Sequence, residues 1–273
     1  MTIFSIIKAI RRDGLRYSLI RAFAIILRQD LDIERAKKKA LKIIKDKHKL
    51  VVAHGVFKGM KLNEQVFWSR NDLITQTLGT YEDHVVKKLI NFNKKGFTRF
   101  IDIGAADGYF CTGFALTNLY KNIIAFEIDK LAQKKIYENA YNNNCHKLIT
   151  IFGEANYTSL SKILSDKQKT SILIDIEGSE FKLLDDKMLY LLSNCSIIIE
   201  LHPFLMDDGY KLEKDLISRS SKYFEYEIIK RETYNPNIFD ELDNLSDEER
   251  LIAIGEGRGK NMNWLVLYPK KIV

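Results

Sequence analysis

The sequence predicts a doubly wound α/β domain: a seven-stranded, mostly parallel sheet with an antiparallel edge strand, preceded by a helical extension. Three observations predict it. Short, almost wholly apolar runs recur between residues 99 and 268 and are separated by stretches of helical period, the pattern of parallel strands covered by helices on both faces. One of them, Phe100 to Gly108 (FIDIGAADG), passes straight from strand into a glycine turn and a helix start. The last two runs, FEYEIIK and NWLVLY, have no crossover helix between them and read as an antiparallel closing pair at one sheet edge.

The 273 residues suffice for one large domain with additions. An apolar fraction of 46% against 29% charged excludes disorder as the default. The basic balance is local. Residues 1–50 hold 14 of the 43 Lys/Arg and 5 of the 36 Asp/Glu, a net of +9, and the remaining 29 and 31 leave residues 51–273 at −2. The main domain carries no basic signature, so no nucleic-acid partner is expected. Cys111, Cys145 and Cys195 fall at no metal-ligand spacing and read as free thiols of a reducing compartment. No apolar run reaches the roughly 18 residues of a membrane span. Lys8, Arg11, Arg12 and Asp13 interrupt the N-terminus too early for a secretory signal, and the chain is read as cytoplasmic.

In chain order, Ile3, Ile6, Ile7 and Ile10 have helical spacing, and after Asp13-Gly14 so do Leu15, Leu19, Phe23, Ile26 and Leu27. A third helix, about 32–47, carries Ile33, Ala36, Ala40, Ile43 and Ile44 on one face and lysines on the other. Two readings are open for residues 1–50: a helical extension packed on the core or on a second copy of the chain, and a basic amphipathic segment lying peripherally on the inner, anionic face of a membrane. Residues 51–80 form a hairpin, about 50–62 with Gly55 and Gly59, and a linker. A helix over 81–92 leads to the glycine-turn strand, 99–103. Strands then alternate with helices: 122–127 with 130–142, 148–152 with 159–164, 171–176 with 180–192, and 195–201 with 212–220, before strands 224–230 and 263–268. The polar segment 235–260 exceeds an ordinary connection, and a functional lid and a loose insertion both remain open for it.

Ligands of doubly wound sheets bind beyond the carboxyl ends of the strands. At the first end, Asp102, Gly104, Ala105, Asp107 and Gly108 form a D-x-G-x-x-x-G turn. It lacks the third glycine of the dinucleotide fingerprint and carries an aspartate inside the turn, which disfavours a pyrophosphate and favours a ligand with an ammonium group or hydroxyls. A nucleoside cofactor without a phosphate bridge, such as S-adenosylmethionine (SAM), meets that description. Glu127 ends the second strand 25 residues after Asp102, near the ~20-residue offset of an acid that binds ribose hydroxyls. Ile128 follows it, Asp129 reads as a helix N-cap, and Gly153 and Glu154 end the third strand where an adenine edge would lie.

The fourth and fifth strands end in the least expected residues. Asp175 and Glu177 in SILIDIEGSE, and Glu200 and His202 in IIIELHP, are pairs two apart and project to one side of an extended chain. Four ionisable groups after strongly apolar runs suggest proton transfer, with His202 the natural base, or a divalent cation held by Asp175, Glu200 and His202. Proton work and substrate binding rank ahead of the cation, since no dense ligand motif occurs.

Together, FIDIGAADGYF, IAFEID, ILIDIEGSEFKLLD and IIIELHP resemble the FkbM-type SAM-dependent methyltransferases over about 81–203, with D-x-E-G-x-E at Asp175 to Glu180 the most specific part. The resemblance implies a Rossmann-like SAM-methyltransferase domain over 81–273 and transfer of a methyl group to a hydroxyl of a sugar, glycan or other small molecule. It implies that Asp102, Gly104 and Gly108 shape the SAM pocket, that Glu127 meets the ribose, and that Asp175 and Glu177 face the methyl. A nicotinamide-dependent oxidoreductase and a catalytically silent binding subunit of the same fold are the alternatives.

Overall fold

A computed structural model describes residues 15–64, 72–256 and 262–270, with side chains from residue 32 onward in the first of these stretches. The chain opens on helix α1 (Leu15–His48), one continuous helix of 34 residues where the sequence suggests two. The reason is that residues 28–31 contain no glycine or proline to end it. The expected helix at 2–12 and its Asp13-Gly14 break lie outside the described residues.

The C-terminal half of α1 buries Ala36, Ala40 and Ile44, spaced by four, so they line one stripe of the helix. That stripe packs on Ile74 and Leu78 of α2 (Asp72–Leu78) and on Phe239, Leu242 and Ala253. Residues 235–256 are thus not a loose insertion. They include α10 (Asp247–Ala253), started by a reciprocal capping box between Ser246 and Glu249, and they share a small core with α1. The hairpin is held by an antiparallel bridge between Val51 and Lys61. Its Phe57 ring lies on Gly113, where any side chain would overlap the ring at 2.6 Å.

The main sheet follows α3 (Asp83–Lys94). Its members are β1 (Arg99–Ile103), β2 (Asn122–Phe126), β3 (Ile149–Phe152), β4 (Thr170–Ile174), β5 (Ser196–Leu201), β6 (Phe224–Lys230) and β7 (Asn263–Pro269), in the order β3-β2-β1-β4-β5-β7-β6. All are parallel except β7, which runs antiparallel to both neighbours. The expected closing pair is present, and β7 lies inside β6 rather than at the rim. Helices α4 (Tyr109–Thr117), α5 (Lys130–Asn142), α6 (Tyr157–Leu164) and α9 (Gly209–Ser220) connect the strands. The helix expected over 180–192 is two, α7 (Glu180–Leu183) and α8 (Asp186–Leu191), because the Asp185 carboxylate accepts from the Met188 amide and starts a new helix.

Strands β4 and β5 are buried at every position. Ile172, Ile174, Ile197 and Ile199 face one core layer and Leu173 and Ile198 the other, which is why their sequence runs are apolar without alternation. Each fully buried side chain of this size contributes roughly 1.5–3 kcal/mol. This rigid centre fixes the carboxyl ends of β1, β4 and β5 relative to one another. Among the described residues no helix is long and apolar enough to cross a membrane. Cys111, Cys145 and Cys195 are free and buried.

Candidate functional site

Beyond β1 the chain turns through Gly104 (φ +89°), Ala106 (φ +50°) and Gly108 (φ +81°) into α4. Four of the turn's amides are engaged within the protein. Gly104 and Ala105 N–H donate to the Phe126 carbonyl at 2.9 and 3.1 Å, Gly108 N–H to the Ala105 carbonyl at 2.7 Å, and Ala106 N–H to Glu127 Oε2 at 2.9 Å. The two glycines are needed by neighbouring chain. A Cβ on Gly104 would stand 1.7 Å from the Asp175 carbonyl oxygen, and one on Gly108 would meet Ile136 of α5 at 3.0 Å. Carboxylates line the turn as well.

Asp102 is buried beneath the turn, and burial pushes its carboxyl up to about 7 against a hydrogen bond from the Cys111 thiol. Asp107 is half-buried and Ala105 buried. Glu127 lies at the end of β2, 8% exposed, its Oε1 accepting from the Asp129 amide at 2.9 Å; each oxygen keeps a lone pair for a hydroxyl. Asp129 caps α5 as expected, accepting from the Leu131 and Ala132 amides. Ile128 is 75% exposed beside it, and at the end of β3 the half-exposed Phe152 stacks on Phe126, with Glu154 exposed further along. This rim of apolar surface next to a carboxylate with lone pairs to spare fits a nucleoside, and the surrounding acids fit a cationic remainder. The donor set therefore suits SAM. A cleft beside the turn, lined by Met60, Lys61, Gln76, Asp107, Thr112 and Asn139, brings in the hairpin and α2, whose share in the site nothing in the sequence signalled.

The second group lies one backbone contact away. Strand β4 stops at Ile174, so the two-residue strand spacing assumed for Asp175 and Glu177 does not apply; Glu177 is in a left-handed turn (φ +49°). That turn nevertheless delivers both carboxylates to His202, whose Nε2 lies 3.7 Å from Asp175 Oδ1 and 3.5 Å from Glu177 Oε2. Glu200 and His202, at the end of β5, are 1% and 2% exposed. Ligand atoms of Asp175, Glu200 and His202 all lie within 4.8 Å of one another.

Glu180 was not foreseen. Fully buried at the start of α7, it accepts from the Gly178 amide at 2.8 Å and the His202 amide at 2.9 Å, and its Oε1 stands 3.4 Å from His202 Nδ1. Its position in D-x-E-G-x-E was the available signal, but its burial depends on where the turn folds back. Burial opposes a charge on His202, yet the carboxylates of Glu180, Asp175 and Glu177 outweigh it and raise the imidazole above its usual range.

No protein-family model matches the chain, and no curated protein matches it. Many solved structures do. The methyltransferase domain of METTL16 is 15% identical, with 86% of this chain and 79% of that chain covered at a TM-score of 0.49. An O-methyltransferase from Bacillus cereus solved with SAH is 11% identical, over 85% and 90%, at 0.42. The O-methyltransferase TomG from Streptomyces achromogenes, solved with SAM, is 10% identical, over 86% and 90%, at 0.44. Likeness this distant leaves the fold to be read from the strand order itself and says nothing of the reaction.

Proposed function

We propose that this chain is a SAM-dependent methyltransferase that methylates a hydroxyl oxygen, that of a sugar on a glycan or related small molecule. The observation that carries the reading is the contact between two sites at one sheet edge: an acid-lined turn, and the Asp175, Glu177, Glu200 and His202 group packed against it through Gly104. Acids in and beside the turn repel a pyrophosphate, so the turn speaks against a dinucleotide. The resemblance of 81–203 to FkbM-type enzymes supports the same reading.

SAM, when bound, supplies a methyl group already activated by its sulfonium. In this reading Glu127 accepts hydrogen bonds from the ribose hydroxyls, Ile128 and Phe152 flank the base, and Asp107 attracts the positive methionine end above the buried Asp102. The cofactor would supply an electrophilic methyl to the acceptor's hydroxyl oxygen. The proton of that hydroxyl passes to the Glu177 and His202 pair, since a sugar hydroxyl is a weak nucleophile at neutral pH. Calorimetric titration of the full chain with SAM and with NAD tests the assignment. Stoichiometric SAM binding with no NAD signal is expected; NAD binding without SAM binding overturns it.

A further inference from the structure

We propose that Asp175, Glu200 and His202 form a binding site for one divalent cation of the Mn2+ type. Two oxygens and one imidazole nitrogen are a mixed set that such a cation accepts, whereas Mg2+ and Ca2+ prefer oxygen alone. The ligand atoms lie within 4.8 Å of one another. Around a six-coordinate cation with bonds of about 2.2 Å, ligands sit roughly 3 Å apart when adjacent and ~4.4 Å when opposite; His202 Nε2 and Asp175 Oδ1, 3.7 Å apart, lie between these two spacings.

The state of His202 points to a ligand independently. Its imidazole is 3% exposed, and Nε2 is aimed between the Glu177 and Asp175 carboxylates at 3.5 and 3.7 Å, beyond the length of a normal hydrogen bond. A buried ring nitrogen facing two carboxylates across a gap of that size is the condition a cation relieves. Glu180 supplies the outer support. Two backbone amides fix its carboxylate, and from 3.4 Å it favours a proton on Nδ1, which leaves the Nε2 lone pair facing Asp175 and Glu177. Asp175, with its side chain 35% exposed, forms the open side of the site, where an acceptor hydroxyl enters as a further ligand. That role in transfer rests on the methyltransferase reading; cation binding does not. With His202 engaged, Glu177 alone takes the acceptor's proton.

The test is Mn2+ titration of the metal-stripped full chain, read by loss of the free-ion EPR signal, with SAM titrated separately in the presence of chelator. One Mn2+ per chain is expected. E200Q, H202Q and the more exposed D175N are expected to weaken it at least tenfold with circular dichroism unchanged, and E177Q to leave it within threefold. A wild-type chain that leaves the Mn2+ signal undiminished overturns the site, as does retention of wild-type binding by folded D175N and E200Q. SAM binding in chelator without Mn2+ binding removes the cation and keeps the cofactor reading; Mn2+ binding without SAM binding does the reverse.

Discussion

Gly104 and Asp175 approach so closely that a single methyl group on the Gly104 Cα would lie 1.7 Å from the Asp175 carbonyl oxygen. The glycine turn after β1 and the acid turn after β4 are thus one packed unit, also joined by the Asp175 amide donating to the Ile103 carbonyl at 2.9 Å.

Gly104→Ala should therefore damage the fold as well as the site. It places a side chain at φ +89° and against a backbone atom that cannot swing away. A loss of roughly 4 kcal/mol, or failure to fold, is expected from combined strain and overlap. Gly153→Ala is the control, since only the Gln133 amide, at 4.0 Å, comes near its new methyl, and it should cost less than about 1 kcal/mol. Urea unfolding of both variants decides it, and equal stabilities would refute the packing account.

This contact also marks where sequence reading stops. Strand identity was legible because β4 and β5 are apolar on both faces, and the convergence of Asp175, Glu177, Glu200 and His202 because residues at neighbouring parallel strand ends must meet. The reason given for Asp175 and Glu177 failed: pleat spacing was assumed where the chain turns through a left-handed Glu177. Glu180 escaped because its burial depends on the fold-back of that turn, and the packing of 235–256 on α1 because its apolar residues, Phe239, Leu242 and Leu245, are scattered through a mostly polar stretch.

Asp102 supplies a pH test. Its carboxyl is raised from the ordinary 3.8 to about 7 by burial, so the folded state favours the protonated form. The associated stability is full below pH 3.8 and is lost as pH rises through 7. Asp102→Asn removes this dependence. The stability of the variant relative to wild type should rise between pH 4 and 8, by at most about 4 kcal/mol. Paired urea titrations across that range measure the difference, and a difference that falls with pH contradicts the assignment.

Glu241 should act with the opposite sign. Its Oε1 meets His48 Nε2 at 2.8 Å and His54 Nε2 at 3.0 Å, joining α1, the hairpin and the 235–256 segment. Burial works to raise its pKa, but its own backbone amide and the two histidines prevail and lower it. The stabilisation is present above the unfolded carboxylate range and disappears as pH falls through the lowered value. Glu241→Gln is expected to cost roughly 1–3 kcal/mol at pH 7 and little near pH 3, with faster hydrogen exchange in 235–256. A penalty unchanged at low pH would rule out a charge-based clamp.

The two halves of the site should separate in binding and turnover. Glu127→Ala removes the acceptor assigned to the ribose hydroxyls and frees the Ala106 and Asp129 amides, so SAM affinity should fall about 10- to 100-fold. Glu177→Ala and His202→Ala leave that turn untouched and should keep SAM affinity within threefold, while methyl transfer to an acceptor found by saccharide screening drops by about 100-fold or more. Calorimetry gives the first quantity and labelled-methyl transfer the second. If His202→Ala instead abolishes SAM binding, the imidazole belongs to the cofactor pocket, and the division of labour across the Gly104 and Asp175 contact is wrong.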